Sequence, residues 1–171
     1  YSASGSNAEM STGALSIGSP EDAIVSLING QLTKFYNIPC RISGTLSDSK
    51  ACDAQAGFES AITGLMAQLA GGNFILHAIG IIEAYNCTFE KMIVDNELLG
   101  YFKHIGRGVE VNDDTLAYDV IKEVGPQGEF LSNPHTFMHF RNEFYRPTIT
   151  DRLNYDQWHA NGGLTIDQRA N

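Results

Sequence analysis

Basic residues are scarce and scattered: 11 Lys and Arg stand against 20 Asp and Glu, for a formal charge of −9. Neutralising phosphates takes clustered cations, so neither a nucleic acid nor an anionic membrane is expected as a partner. A cationic ligand or a basic partner surface suits this balance better. Cysteine is sparse too. Cys40, Cys52 and Cys87 form an odd set without CxxC spacing, which argues against a disulfide framework or a Cys-rich zinc site and for a reducing, cytoplasmic setting. The longest apolar stretch, near Asn73 to Tyr85, is broken by His77 and Glu83 and is too short to cross a bilayer. A Gly-rich phosphate loop, a GxSxG elbow and a local Cys–His catalytic motif are all missing. No basic-then-apolar leader opens the chain and no Met starts it, so a piece of a longer polypeptide is expected.

What is present is an ordinary globular composition, 43% hydrophobic and 18% charged over 171 residues, enough for one domain with a sizeable core. Residues 1–18, rich in Ser, Gly, Asn and Ala, read as a long loop. Ser19-Pro20-Glu21-Asp22 starts a helix, with a Ser cap, Pro at the first position and early carboxylates. Ala23, Ile24, Leu27, Ile28, Leu32, Phe35 and Tyr36 recur at helical spacing and carry it to about Asn37. The central stretch follows: a short apolar run from Ile38 to Gly44, a loop crowded with polar groups, Thr45 to Lys50, and an amphipathic helix over 53–69 with Phe58, Ile62, Leu65, Met66 and Leu69 on one face. Asn73 to Gly80 reads as a second buried strand, about 35 residues after the first, the usual length of one strand–helix–strand unit. A polar loop over 83–88 leads to a third helix through Met92, Ile93, Leu98, Leu99 and Phe102. Asp113-Asp114-Thr115 caps a fourth, with Leu116, Val120, Ile121 and Val124 inward and Gly125 past its end. The order predicts an α/β fold, part of a (β/α)₈ TIM barrel whose whole length exceeds this chain, and a part-barrel alone exposes sheet edges.

Parallel α/β folds place ligands at the carboxyl ends of their strands, so the Ser47-Asp48-Ser49-Lys50 loop is the first place to look for chemistry, although Asp and Ser also serve as helix caps. His77, inside an apolar run, reads as a hydrogen-bonded core residue, and Glu83, just past the strand, as the better site candidate. In Asn133-Pro134-His135-Thr136-Phe137-Met138-His139 the Asn caps a helix that sets His135, His139 and Glu143 along one face. Two His one turn apart with a carboxylate can ligate a metal. The metalloprotease pattern needs Glu directly after the first His, where Thr136 stands; packing, capping or substrate contact accounts for the stretch as well, and no resident metal is expected.

Leu46-Ser-Asp-Ser-Lys50, Asp53-Ala-Gln-Ala-Gly57, Glu123-Val-Gly125, Phe130-Leu131, Asn133-Pro-His-Thr136, Asp151-Arg152, and Trp158 with Gly162 resemble the C-terminal part of the trimethylamine methyltransferase family, in order over nearly the whole chain. The resemblance implies a single (β/α)₈ barrel domain, of which residues 1–171 are the C-terminal portion. It also implies an enzyme that moves a methyl group from trimethylamine, or from a quaternary amine such as glycine betaine, onto the Co(I) of a corrinoid held by a separate small protein. That division of labour agrees with the absence here of the Asp-x-His-x-x-Gly pattern of corrinoid carriers. No directly bound cofactor is then expected. The partners implied are the cognate corrinoid protein, the small amine, the N-terminal part of the barrel and further copies of the chain in a homo-oligomer.

Archaeal trimethylamine enzymes carry pyrrolysine in the barrel cavity, and the resemblance places that slot in the Gly44-Thr45-Leu46 loop, where Thr45 stands. Either the chain belongs to the branch without pyrrolysine or that residue was written as Thr. An ammonium ligand favours carboxylates and aromatic faces, each ring contributing about 0.5–2 kcal/mol. Asp48, Glu83, Tyr85 and Phe137 are candidates for this role, and Ser47 and Gln55 of the matched motifs are expected beside the substrate. A tertiary amine needs an acid to leave well and a quaternary one does not; Asp48, His77 and His135 are candidate acids, and with Thr45 the catalytic set is Thr45, Asp48 and His135. For glycine betaine, Arg41 or Lys50 could bind the carboxylate. A non-catalytic half-barrel scaffold is the reading from another class.

Overall fold

The computed structural model describes residues 7–171. Residues 1–6 of the expected opening loop lie outside the described residues. From Asn7 onward the loop gives way to an antiparallel hairpin, β1 (Asn7–Ala8) with β2 (Leu15–Ser16). Its turn closes because Glu9 accepts from the backbone and hydroxyl of Ser11 while the Gly13 amide donates to the Glu9 carbonyl.

Two compact units make up the chain: residues up to 106 together with 147–171, and residues 107–146. In the first, α1 (Pro20–Phe35) begins as expected, the Ser19 side chain accepting from the Asp22 amide, and leads into β3 (Arg41–Ser43). Asp53 caps α2 (Ala54–Leu69), and β4 (Phe74–Leu76) pairs in parallel with β3, Arg41 opposite Phe74 and Ser43 opposite Leu76. This β3–α2–β4 unit is the part of the expected barrel pattern that is seen, within a mixed α/β architecture of small sheets; among the described residues no further strand bonds to the pair. The second strand is shorter than expected. His77 takes a left-handed backbone (φ 56°), which turns the chain out of the strand. The segment beyond forms another hairpin, β5 (Ile81–Ile82) with β6 (Asn86–Cys87), in place of the expected loop. The helix α3 (Phe89–Arg107) follows.

The core is small: Cys40, Ile42, Ala67 and Ala70, with Leu27 and Ile75 packed against it. The structure shows which helix faces meet this core. On α1 the buried positions are Asp22, Ala23, Ser26, Gly30 and Thr33, whereas Ile24, Ile28, Leu32, Phe35 and Tyr36 are exposed. On α2 the buried set is Ala56, Glu59, Ser60, Thr63, Gly64 and Ala67, and Phe58, Ile62 and Leu69 face outward. Small residues let α1, α2 and the β3–β4 pair approach closely. Gly30 of α1 shows why: a Cβ there would lie 2.6 Å from the Cβ of Ala70 at the end of α2.

The second unit holds α4 (Asp113–Leu116), α5 (Tyr118–Val124) and α6 (Pro134–Glu143). The expected fourth helix is two. Asn112, rather than Asp113, caps its start, and Ala117 in a left-handed conformation (φ 50°) breaks it. Leu116 and Ile121, expected inward, are exposed. Two short helices of the first unit, α7 (Tyr155–Ala160) and α8 (Ile166–Ala170), close the chain. Among the described residues no helix is long and apolar enough to cross a membrane.

Candidate functional site

The loop after β3 is held by buried polar contacts. Thr45 is fully buried with φ 48°, and its hydroxyl donates to the His77 carbonyl (3.3 Å). Its own carbonyl accepts from Lys91 Nζ and from Ser60 Oγ, each at 3.2 Å. Beyond it, Glu59 of α2 gathers three donors: Ser47 Oγ (2.8 Å), the Asp48 amide (2.7 Å) and Gln55 Nε2 (2.8 Å). Asp48 in turn accepts from the Ile17 amide (2.8 Å), Ser16 Oγ (2.9 Å) and the Gly18 amide (3.1 Å), tying the β2 segment to the loop. Only glycine fits at 18, where a Cβ would sit 2.5 Å from Glu59 Oε2. Ser47, Asp48 and Gln55 are thus brought together around Glu59, and Thr45 lies two residues before Ser47 in the same loop. Sequence reasoning missed Glu59 as a hub, because nothing in the pattern marked its turn of α2 as a buried one.

Carboxylates crowd this neighbourhood. Asp22 is buried, and burial, assisted by the charge of Asp48, pushes its carboxyl up to about 6. On the other side of Thr45, Lys91 and Asp95 form a buried ion pair of 2.6 Å, and Asp95 also accepts from the Gly80 amide (2.7 Å). Burial raises the Asp95 carboxyl above its ordinary value in spite of the Lys91 ammonium. Asp and Lys four residues apart were visible in the sequence, but nothing in the pattern marked this turn of α3 as the buried one. A cleft of about 390 Å³ borders the pair, with Val94, Leu98 and Ile166 as apolar wall and Asp53, Asp95 and Asp167 among its polar lining. Apolar walls with a few convergent polar groups are the make-up of a small-molecule site.

The β5–β6 hairpin reaches the same loop through the Glu83 amide, which donates to the Ser47 carbonyl (2.9 Å). Glu83 accepts from Asn86 Nδ2 (2.8 Å), and both it and Tyr85 have exposed side chains. His77 is exposed rather than part of the core, its Nδ1 3.5 Å from Ser43 Oγ, because the left-handed turn lifts it out of the strand. Arg41 lies in β3 and is half-buried; the Lys50 ammonium donates to the Asp48 carbonyl (2.8 Å).

The remaining candidates belong to the other unit. Asn133 caps α6 as expected, accepting from the His135 amide. His135 and His139 lie one turn apart with ring centroids 4.3 Å apart. Their third partner is Asp114 of α4: His139 Nε2 is 3.1 Å from Oδ2, and His135 Nε2 is 3.6 Å from Oδ1 and 2.9 Å from the Asp114 carbonyl oxygen. Glu143, the carboxylate expected there, pairs with Arg107 at 2.9 Å. Phe137 is exposed and meets the Phe140 ring edge-on.

Comparison with known proteins follows the same lines. A model of the trimethylamine methyltransferase family matches residues 1–171. The chain is 44% identical over 171 residues to a glycine betaine methyltransferase of Desulfitobacterium hafniense strain Y51, covering 99% of this chain and 36% of that protein. A trimethylamine methyltransferase of the same species, strain DSM 10664 / DCB-2, is 37% identical over 172 residues, with 99% of this chain and 34% of that protein covered. One from Methanosarcina acetivorans is 33% identical over 171 residues, at coverages of 99% and 34%. The chain therefore spans about a third of the length of the curated relatives it matches.

Proposed function

The chain belongs to the trimethylamine methyltransferase family, and from that premise we propose that it forms part of an enzyme moving a methyl group from a methylated amine cation to the cobalt of a corrinoid carried on a separate protein. The observation that carries this reading is the gathering of Asp22, Asp48 and Glu59 around the strand-end loop; a cleft at the start of α2 adds Asp53, Asp95 and Asp167, with Lys91 paired to Asp95. Such a field favours a positively charged ligand. The partner's corrinoid would supply the nucleophile that accepts the methyl group, the carbon–nitrogen electron pair leaving with nitrogen. The residues of this chain serve to bind and orient the amine so that one methyl group points at its acceptor, and positioning of that kind is a large share of the rate such a step requires. The parallel β3–α2–β4 unit is read as a segment of a (β/α)₈ barrel, with the exposed apolar faces of α1 and α2 covered by the rest of that barrel.

Glycine betaine is the favoured substrate. The relative named for it shares 44% identity. The oxygens of Asp48 and Glu59 already accept hydrogen bonds from the chain's own N–H and O–H groups, so on this reading they act on the amine through their negative field, and a quaternary amine leaves without a proton. A trimethylamine reading is favoured by one feature: Asp22, raised to about 6, can hold a proton near neutral pH. Peptide mass spectrometry of the natural protein across residues 38–50 separates the two. An unmodified Thr45 mass is the expected result. A mass excess at residue 45 matching pyrrolysine would overturn the betaine assignment and point to trimethylamine.

A further inference from the structure

The His135–His139 pair has more donor capacity than a helix start needs, and its geometry converges on one point. Asn133 already caps α6, so the two imidazoles are free of that duty. They stand one turn apart, and both direct Nε2 toward the same aspartate. One ligand atom from each of Asp114, His135 and His139 lies within 4.8 Å of the others. An ion bound tetrahedrally at zinc–ligand distances of about 2.0–2.1 Å needs its donors roughly 3.3 Å apart. His139 Nε2 is 3.1 Å from Asp114 Oδ2 and His135 Nε2 is 3.6 Å from Oδ1, one on either side of that value. Without an ion, the His135 Nε2 proton is donated to the Asp114 carbonyl oxygen. On ion binding that proton moves to Nδ1 and the freed lone pair faces the metal.

We propose that Asp114, His135 and His139 form a binding site for one divalent transition-metal ion of the zinc class, held by the two imidazole Nε2 atoms and the carboxylate. Imidazole with carboxylate selects ions such as zinc, cobalt and nickel over calcium or magnesium, which prefer all-oxygen shells. Asp113 and Asp119, which line the adjoining cleft of about 480 Å³ together with Tyr118 and His135, add negative charge that draws a cation in. Three protein ligands leave a fourth position for water or an external ligand. All three donors lie within residues 107–146, so the site is independent of the strand-end loop and of the methyl-transfer reading.

The test uses the full-length protein, stripped with chelator and titrated with Zn²⁺ by calorimetry and with Co²⁺ by visible absorption. One equivalent per chain is expected. Affinity should fall at least about tenfold in Asp114→Asn and in His139→Gln, the scale on which even outer-sphere changes act, while Glu143→Gln on the same helix retains it. X-ray absorption of the bound ion in the unmodified protein gives a readout that does not depend on any variant folding: a nitrogen and oxygen shell with imidazole scattering is expected. Absence of stoichiometric binding, full retention in the Asp114→Asn/His139→Gln double variant, or a sulfur shell would overturn the proposal.

Discussion

Asp22 occupies the first turn of α1, where a carboxylate ordinarily meets free backbone N–H groups and water. Here it is 3% exposed, and burial, with the neighbouring Asp48 charge, raises its carboxyl from 3.8 to about 6. The folded chain therefore holds this proton more tightly than the unfolded chain does. Stability from that difference is fully present below the unfolded value and is lost as pH rises through about 6, a total of about 3 kcal/mol for a shift of this size. Asp22→Asn cannot ionise, so its stability relative to the parent should improve steadily from about pH 4 to about pH 6.5 and level off above. Urea unfolding of both proteins across that range measures the gap; a gap that does not change with pH contradicts the burial argument. The sequence showed Asp22 as a helix-start residue and no more, since burial depends on which turn of α1 meets its neighbours. His135 shows the same limit. Its partner at four residues, His139, could be read from spacing, but Asp114 comes from another helix 21 residues away.

The elements follow the sequence where caps and breakers act. Ser19 with Pro20, Asp53, and Asn133 with Pro134 start α1, α2 and α6 at the positions their chemistry dictates. Periodicity located the helices too but did not say which neighbour meets each face. The stripe Ile24, Ile28, Leu32 has the right spacing, yet the face turned to the core is Ala23, Ser26, Gly30 and Thr33, whose small size allows close helix packing. A stripe of large apolar residues identifies a face that something covers; it does not say which neighbour covers it. Likewise the polar loop was legible as a candidate site, whereas its dependence on Glu59 of α2 was not. Because Glu59 binds the Ser47 hydroxyl, the Asp48 amide and the Gln55 side chain, Glu59→Gln turns one acceptor oxygen into a donor facing other donors. The expected cost is about 1–3 kcal/mol, the range for buried groups left unsatisfied, together with weaker binding of the amine. Chemical denaturation and equilibrium titration measure the two effects, and an unchanged midpoint with unchanged affinity would contradict the hub role of Glu59.

At the scale of the whole molecule, the family assignment and the geometry meet. A chain of formal charge −9 that spans about a third of its relatives' length gathers the carboxylates of Asp22, Asp48 and Glu59 around the loop at the end of a parallel strand. Methyl transfer from a quaternary amine is tested most directly by methylation of a cognate corrinoid protein by the full-length enzyme, followed spectrophotometrically with glycine betaine and with trimethylamine as alternative donors. Saturable methylation with glycine betaine, exceeding that with trimethylamine by at least about tenfold in kcat/KM, or roughly 1.4 kcal/mol of transition-state discrimination, is the predicted result. Methylation by trimethylamine alone would contradict the substrate assignment, and methylation by neither amine would contradict the methyltransferase reading itself.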